Sequence, residues 1–102
     1  MAKTTERALG RAVMAVLASQ PPSYEATVRT LINNVPKHIT LTAEDQLPSG
    51  TRPGEEMWEQ RIRNLKSHDK SEGNVIAEGF VEHVGRGRYR LTAAGRKQMG
   101  LA

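Results

Sequence analysis

Residues 82–96 read EHVGRGRYRLTAAGR, and the fold turns on how this stretch is arranged. Arg86, Arg88 and Arg90 stand around Gly85 and Gly87, and Leu91-Thr92 follows at once as a helix start. Read as a hairpin over 80–91 with Gly85-Arg86-Gly87 as its loop, the segment sorts its residues cleanly. Val84 then opposes Arg88, His83 opposes Tyr89, Glu82 opposes Arg90 and Val81 opposes Leu91. One face carries Val81, Tyr89 and Leu91 with His83 at the edge; the other pairs Glu82 with Arg90. Slipping the register by one residue mixes the two faces. Thr92 is placed to cap a short closing helix to about Met99, which Gly95 weakens.

Upstream, the pattern is helical. Leu9, Ala12, Val13, Val16 and Leu17 recur at the spacing of one apolar stripe, which predicts a helix from about Thr5 to Ser19. Pro21 and Pro22 end it. Ser23 is placed as an N-cap for a second helix, with Tyr24, Val28, Leu31, Ile32 and Val35 as its stripe and Pro36 as its stop. HITL, residues 38–41, has the composition of a short strand. Thr42 and Asp45 are spaced to close a helical turn. LPSGTRPG, residues 47–54, is a loop by its prolines and glycines.

The third substantial helix is expected over about 54–67. With Trp58 at zero and about 100° per residue, Ile62 and Leu65 share its core side. Gln60, Arg63, Asn64 and Ser67 lie opposite, with Glu56 a turn earlier, and Arg61 and Lys66 flank the apolar stripe. Gln and Asn can pair bidentately with adenine, and Arg with guanine, so this outer face is equipped to read base edges. A solvated face of an amphipathic helix has the same look. SHDKSEG, residues 67–73, breaks the helix, and NVIAEGF reads as one further turn ending at Gly79.

At 102 residues the chain is sized for one domain spanning 1–102. The net charge is +4, and the last twenty residues hold five basic residues and no acidic one. That bias favours a polyanionic partner. There is no cysteine, hence no disulfide or thiolate metal site, and a reducing cytoplasm suits the composition. The opening MAKTTERALGRAVMAVLASQ reads as a core helix, because Glu6, Arg7 and Arg11 interrupt its apolar run. No run reaches the length of a membrane span. Catalytic chemistry is not indicated. His38, His68 and His83 fall in separate elements with no metal-ligand spacing, and Glu55, Glu56 and Glu59 suit the positive end of a helix. GRGRY enters a strand, so it is no nucleotide loop. The expectation is a binding module with no cofactor and no metal.

Two helices, a turn, a longer helix and a ribbon with a basic tip have the order of an α+β winged helix-turn-helix. In that arrangement helices pack with a small C-terminal β-hairpin wing and a short closing helix. A helix about 10–12 Å across fits a major groove about 12 Å wide. The expected contacts to bases or the groove are Gln60, Arg63, Asn64 and Ser67. Arg86 and Arg88 are expected on the backbone from the wing, with Arg52, Arg61, Lys66 and Lys70 as further phosphate contacts.

LPSGTRPGEEMWEQRIRNLKS, followed by EGFVEHVGRGRYRLTAAGR, resembles the winged-helix domain at the N-terminus of Mrr-type restriction enzymes. It is also similar to winged helices attached to HNH-type nucleases of modification-dependent restriction systems. The shared features are the Leu47-Pro48-Ser49-Gly50 loop, the Trp58 helix, the apolar turn at Gly79, and the Arg86-to-Arg96 ending. Mrr-type domains run the Trp helix straight into a Leu-x-x-Ala-Gly end, whereas here SHDKSEGN intervenes, and the HNH-linked relatives are closer on this point. The resemblance implies a reader of modified duplex DNA, carrying methyladenine or methylcytosine, in prokaryotic defence, with a fused or associated nuclease as partner. Trp58, the largest apolar side chain, is then a candidate methyl contact, although its place on the apolar stripe is equally that of a core residue. Two other functions share the fold. One is a transcriptional regulator reading an unmodified operator; the other is a protein-interaction winged helix whose basic wing meets an acidic partner.

Overall fold

A computed structural model describes residues 3–101. Helix α1, Glu6–Ala18, forms as its stripe dictates. Thr5 caps it, its hydroxyl accepting from the Ala8 N–H at 3.1 Å, a contact worth about 1 kcal/mol. Leu9, Ala12, Val13, Val16 and Leu17 are buried, with Met14 beside them.

After the prolines the chain departs from expectation. Ser23 does not start a helix. Tyr24 takes a left-handed φ of 54°, and Glu25–Thr27 form a short strand, β1. Helix α2, Val28–Asn34, begins after it with Thr27 as N-cap, whose hydroxyl accepts from the Thr30 N–H at 3.2 Å. Val28, Leu31 and Val35 still enter the core, so the stripe was real but its first turn was not. A 3-10 turn, Val35–Lys37, completes the segment. HITL is no strand: Ile39 and Leu41 pack half-buried against the core without ladder partners. Thr42 and Asp45 close the expected turn. The Asp45 N–H donates to the Thr42 hydroxyl, and the Thr42 N–H to the Asp45 carboxylate, at 3.1 and 2.9 Å.

Helix α3 is shorter than the pattern suggests, Met57–Arg63. Glu56 and Glu59 close a capping box at its start. Asn64 ends it, and residues 64–70 continue as turns, which leaves Ser67 outside the helix. Trp58, Ile62 and Leu65 are buried as the projection predicts.

The hairpin is β2, Val81–Gly85, with β3, Arg88–Leu91. Val81 faces Leu91, Glu82 faces Arg90 and His83 faces Tyr89, but Gly85, not Val84, faces Arg88. Val84 is an extra residue in a bulge, so the tip is the tighter two-residue turn Arg86-Gly87 instead of a three-residue loop. Gly87 supplies the positive φ that turn needs, 66°. Strand β1 adds to the other side of β3, giving an antiparallel sheet in the order β1-β3-β2. Ala26, Val81, Tyr89 and Leu91 face the helices. On the outer face Glu25, Arg90 and Glu82 form one cross-strand row.

Helix α4, Ala93–Gln98, closes the chain from its Thr92 cap. Gly95 is there for space: an added Cβ would lie 2.0 Å from the carbonyl oxygen of Phe80. Among the described residues the architecture is α+β, with four α-helices against a three-stranded sheet, and no helix is long and apolar enough to cross a membrane.

Candidate nucleic-acid interface

The loop over 47–55 folds back onto α3. The Met57 N–H donates to Leu47 O and the Ser49 N–H to Glu55 O, both at 2.8 Å, so the two ends of the loop zip together. The Ser49 hydroxyl accepts from the Arg52 N–H at 3.1 Å and donates to Gln60 Oε1. Glu55 Oε2 accepts from Arg63 Nε. The outer face of α3 is therefore not bare: the loop holds two of its predicted readers from behind. Their far ends stay available. Gln60 Nε2 and the two terminal nitrogens of Arg63 have no partner among the described residues. A guanidinium held through Nε and open at both Nη atoms keeps the fork that matches guanine O6 and N7. Glu55 Oε1 is buried without a hydrogen-bond partner, so the pair is fixed on one side only.

The other candidates divide into three groups. Arg52, at the tip of the loop, Lys70 and Arg86 are exposed and in no ion pair among the described residues. Lys66 and Arg88 are also exposed but paired, with Asp69 at 2.7 Å and with Glu25 at 3.2 Å. The hydrogen bond and charge of Asp69 raise the Lys66 ammonium, and Lys66 in turn lowers the Asp69 carboxyl. Exposed pairs of this kind are easily exchanged for a phosphate. Asn64 is half-buried at the end of α3 and Ser67 is exposed in the turns beyond it.

Arg61 and Trp58 belong elsewhere. Arg61 is a structural cation. Its side chain is only 18% exposed and donates to Thr4 O at 2.7 Å and to Glu6 at 3.2 Å, with Asp45 at 3.9 Å. Asp45 is buried, and burial pushes its carboxyl up. Hydrogen bonds from Thr4 and Thr42 outweigh that and hold it below its ordinary value of 3.8. Asn74, fully buried, joins the network by donating to Glu6 at 3.0 Å. Trp58 is 5% exposed, and its indole N–H donates to Glu56 at 2.9 Å. A base methyl has no access to that ring, so the candidate methyl contact has no surface to act through.

The segment after α3 and the hairpin adjoin. The Tyr89 hydroxyl is pushed up by burial, while the backbone N–H and the ammonium of Lys66 pull against it. His83 and Tyr89 form a tilted ring pair, centroids 5.3 Å apart. Nothing in the sequence ties Glu55 to Arg63 or Ser49 to Gln60, because each pair meets only when the loop closes. Among the described residues no group of three or more His, Cys, Asp or Glu is placed to hold a metal ion.

A scan against protein-family models found no match, and searches of curated proteins and of solved structures found none either.

Proposed function

We propose that this chain is a winged-helix module that binds double-stranded DNA. The element order supports this reading. A helix, an edge strand, two helices and a hairpin follow in turn, with β1 closing on β3, so the hairpin is braced on one side, and its tip is tied to the start of α2 through Gly87 O while the Arg86 side chain is exposed. The observation that carries the reading is Arg86 at the turn of the ribbon, exposed and in no ion pair among the described residues. In the proposed complex the end of α3 enters the major groove. Arg63 and Gln60 present their free nitrogens to base edges, and Asn64 and Ser67 reach bases or nearby phosphates. Arg86, Arg88, Arg52, Lys66 and Lys70 contact the backbone, where most protein–DNA hydrogen bonds fall.

The resemblance to Mrr-type and HNH-linked winged helices extends the proposal to modified DNA, in a cytoplasmic restriction system with a nuclease as partner. With Trp58 buried, discrimination of a methylated base would come from the groove-facing polar set and the shape of the site. Equilibrium binding to otherwise identical duplexes carrying methyladenine, methylcytosine, hydroxymethylcytosine or no modification tests it. Tighter binding to one modified duplex supports the reader. Equal binding to all, with a preferred sequence selected from a random library, points instead to an operator-binding regulator. Absence of binding to any duplex refutes the proposal.

A further inference from the structure

One backbone hydrogen bond joins two parts of the chain that the sequence keeps far apart. The N–H of Val28, the first residue of α2, donates to the carbonyl of Gly87 in the hairpin tip at 2.9 Å. Arg29 and Arg86 are the neighbouring residues on either side of that bond, and Thr27 faces Arg88 across the β1–β3 ladder. Arg29 and Arg86 are both exposed, and neither makes an ion pair among the described residues. Arg88 has Glu25 as its ion-pair partner, and its side chain remains 55% exposed.

Nothing in the fold explains this concentration of charge. Like charges at one corner repel. An anion relieves that repulsion. Two guanidinium groups present planar donor forks that fit the oxygens of one phosphate.

We infer that Arg29 and Arg86, with Arg88 beside them, form a site for a phosphodiester of the duplex backbone. The inference rests on the DNA-binding reading and adds Arg29 to it. Contact then extends from the hairpin tip onto α2, so the backbone is held from two elements joined by the Val28–Gly87 bond. A free phosphate offers similar oxygens, and the test separates the two sources.

Binding of a random-sequence duplex is measured at several chloride concentrations for the wild type, R29A, R86A, the double variant and R11A. Arg11 is an exposed arginine on α1 and serves as the control. Each phosphate contact adds about 0.9 to the slope of log K against log salt. R29A and R86A should each lower the slope by about that amount and the double variant by about twice as much, with R11A unchanged. The melting temperature of R29A should equal or exceed that of the wild type, so lost binding cannot be lost folding. Inorganic phosphate at matched ionic strength should displace the duplex no better than chloride. If R29A keeps the wild-type slope while R86A loses its share, the site is overturned and the DNA-binding reading stands. Strong, specific displacement by inorganic phosphate overturns it in favour of a free-anion site. A wild type that binds duplex with no salt dependence removes both.

Discussion

Arg61 and Arg63 lie two residues apart on one short helix, and the protein uses them in opposite ways. Arg61 points toward the start of α1, where Thr4, Glu6 and Asp45 enclose it. Arg63 points toward the loop, which holds it through Nε and leaves its outer nitrogens open. One flank of α3 spends its cation on joining three segments of chain. The other positions its cation and leaves it available to a partner. The lesson is that a basic residue on a candidate recognition helix carries no function by its type alone; its partners decide.

The strongest break in this comparison is Arg61→Ala. It strips the guanidinium from Glu6 and Asp45 while leaving both acids in place. Removing one partner of a buried pair costs 3–5 kcal/mol, and at 18% exposure this one should cost about 2–3 kcal/mol in urea unfolding. DNA affinity of the molecules that remain folded should not change. If R61A instead unfolds at the wild-type urea midpoint and loses affinity, the two flanks are alike and the contrast is wrong.

Asp45→Asn probes the same flank by pH. The folded carboxyl lies below its unfolded value of about 3.9, so its stabilisation is fully present above that pH. It is lost as pH falls through the lower folded value. The variant should be about 1–2 kcal/mol less stable at neutral pH, in line with lost hydrogen bonds to a charged group. Its stability should also fall less steeply than the wild type's in acid. Parallel acid profiles from urea melts at several pH values would contradict this.

On the open flank, Arg63→Ala leaves the Glu55 carboxylate, 16% exposed, without its partner; with Arg63 itself partly exposed this should cost about 1–2 kcal/mol, less than R61A. It should weaken binding to a preferred duplex by about 1–3 kcal/mol, the worth of one bidentate base contact. Glu55→Gln sharpens the point. It weakens the hold on Arg63 without removing it, so discrimination between duplexes should drop more than overall affinity. The smallest effect is expected from Lys70→Ala: a slope change of about 0.9 or less against salt, equal for all sequences.

The apolar positions of this fold were legible because periodicity encodes them locally. The stripe of α1, the cap Thr92, and the pairs Val81–Leu91, Glu82–Arg90 and His83–Tyr89 all follow from short-range pattern. Strand β1 was not legible. Glu-Ala-Thr has no strand signature, and its pairing partner lies in β3, far along the chain, while Tyr24 and Val28 happen to keep helical spacing. Missing β1 hid Arg29, because only the β1–β3 pairing carries the start of α2 to the hairpin tip. The candidate site was half legible. The projection correctly set Arg61 beside the core stripe and Arg63 opposite. It did not reveal Thr4, Asp45, Ser49 and Glu55 as their partners, since those contacts arise only when the N-terminal segment and the loop fold over α3. Arg86 needed no such context: a turn tip exposes whatever it carries.

The most direct test of the proposed interface is to follow the backbone amides by NMR while a duplex is added. Shifts should gather at Gln60–Lys70, at Arg86–Arg88 and at Arg29, with α4 and the outward side of α1 silent. Shifts confined to α1 and α4, or none at all under conditions of measurable binding to other polyanions, would contradict the account.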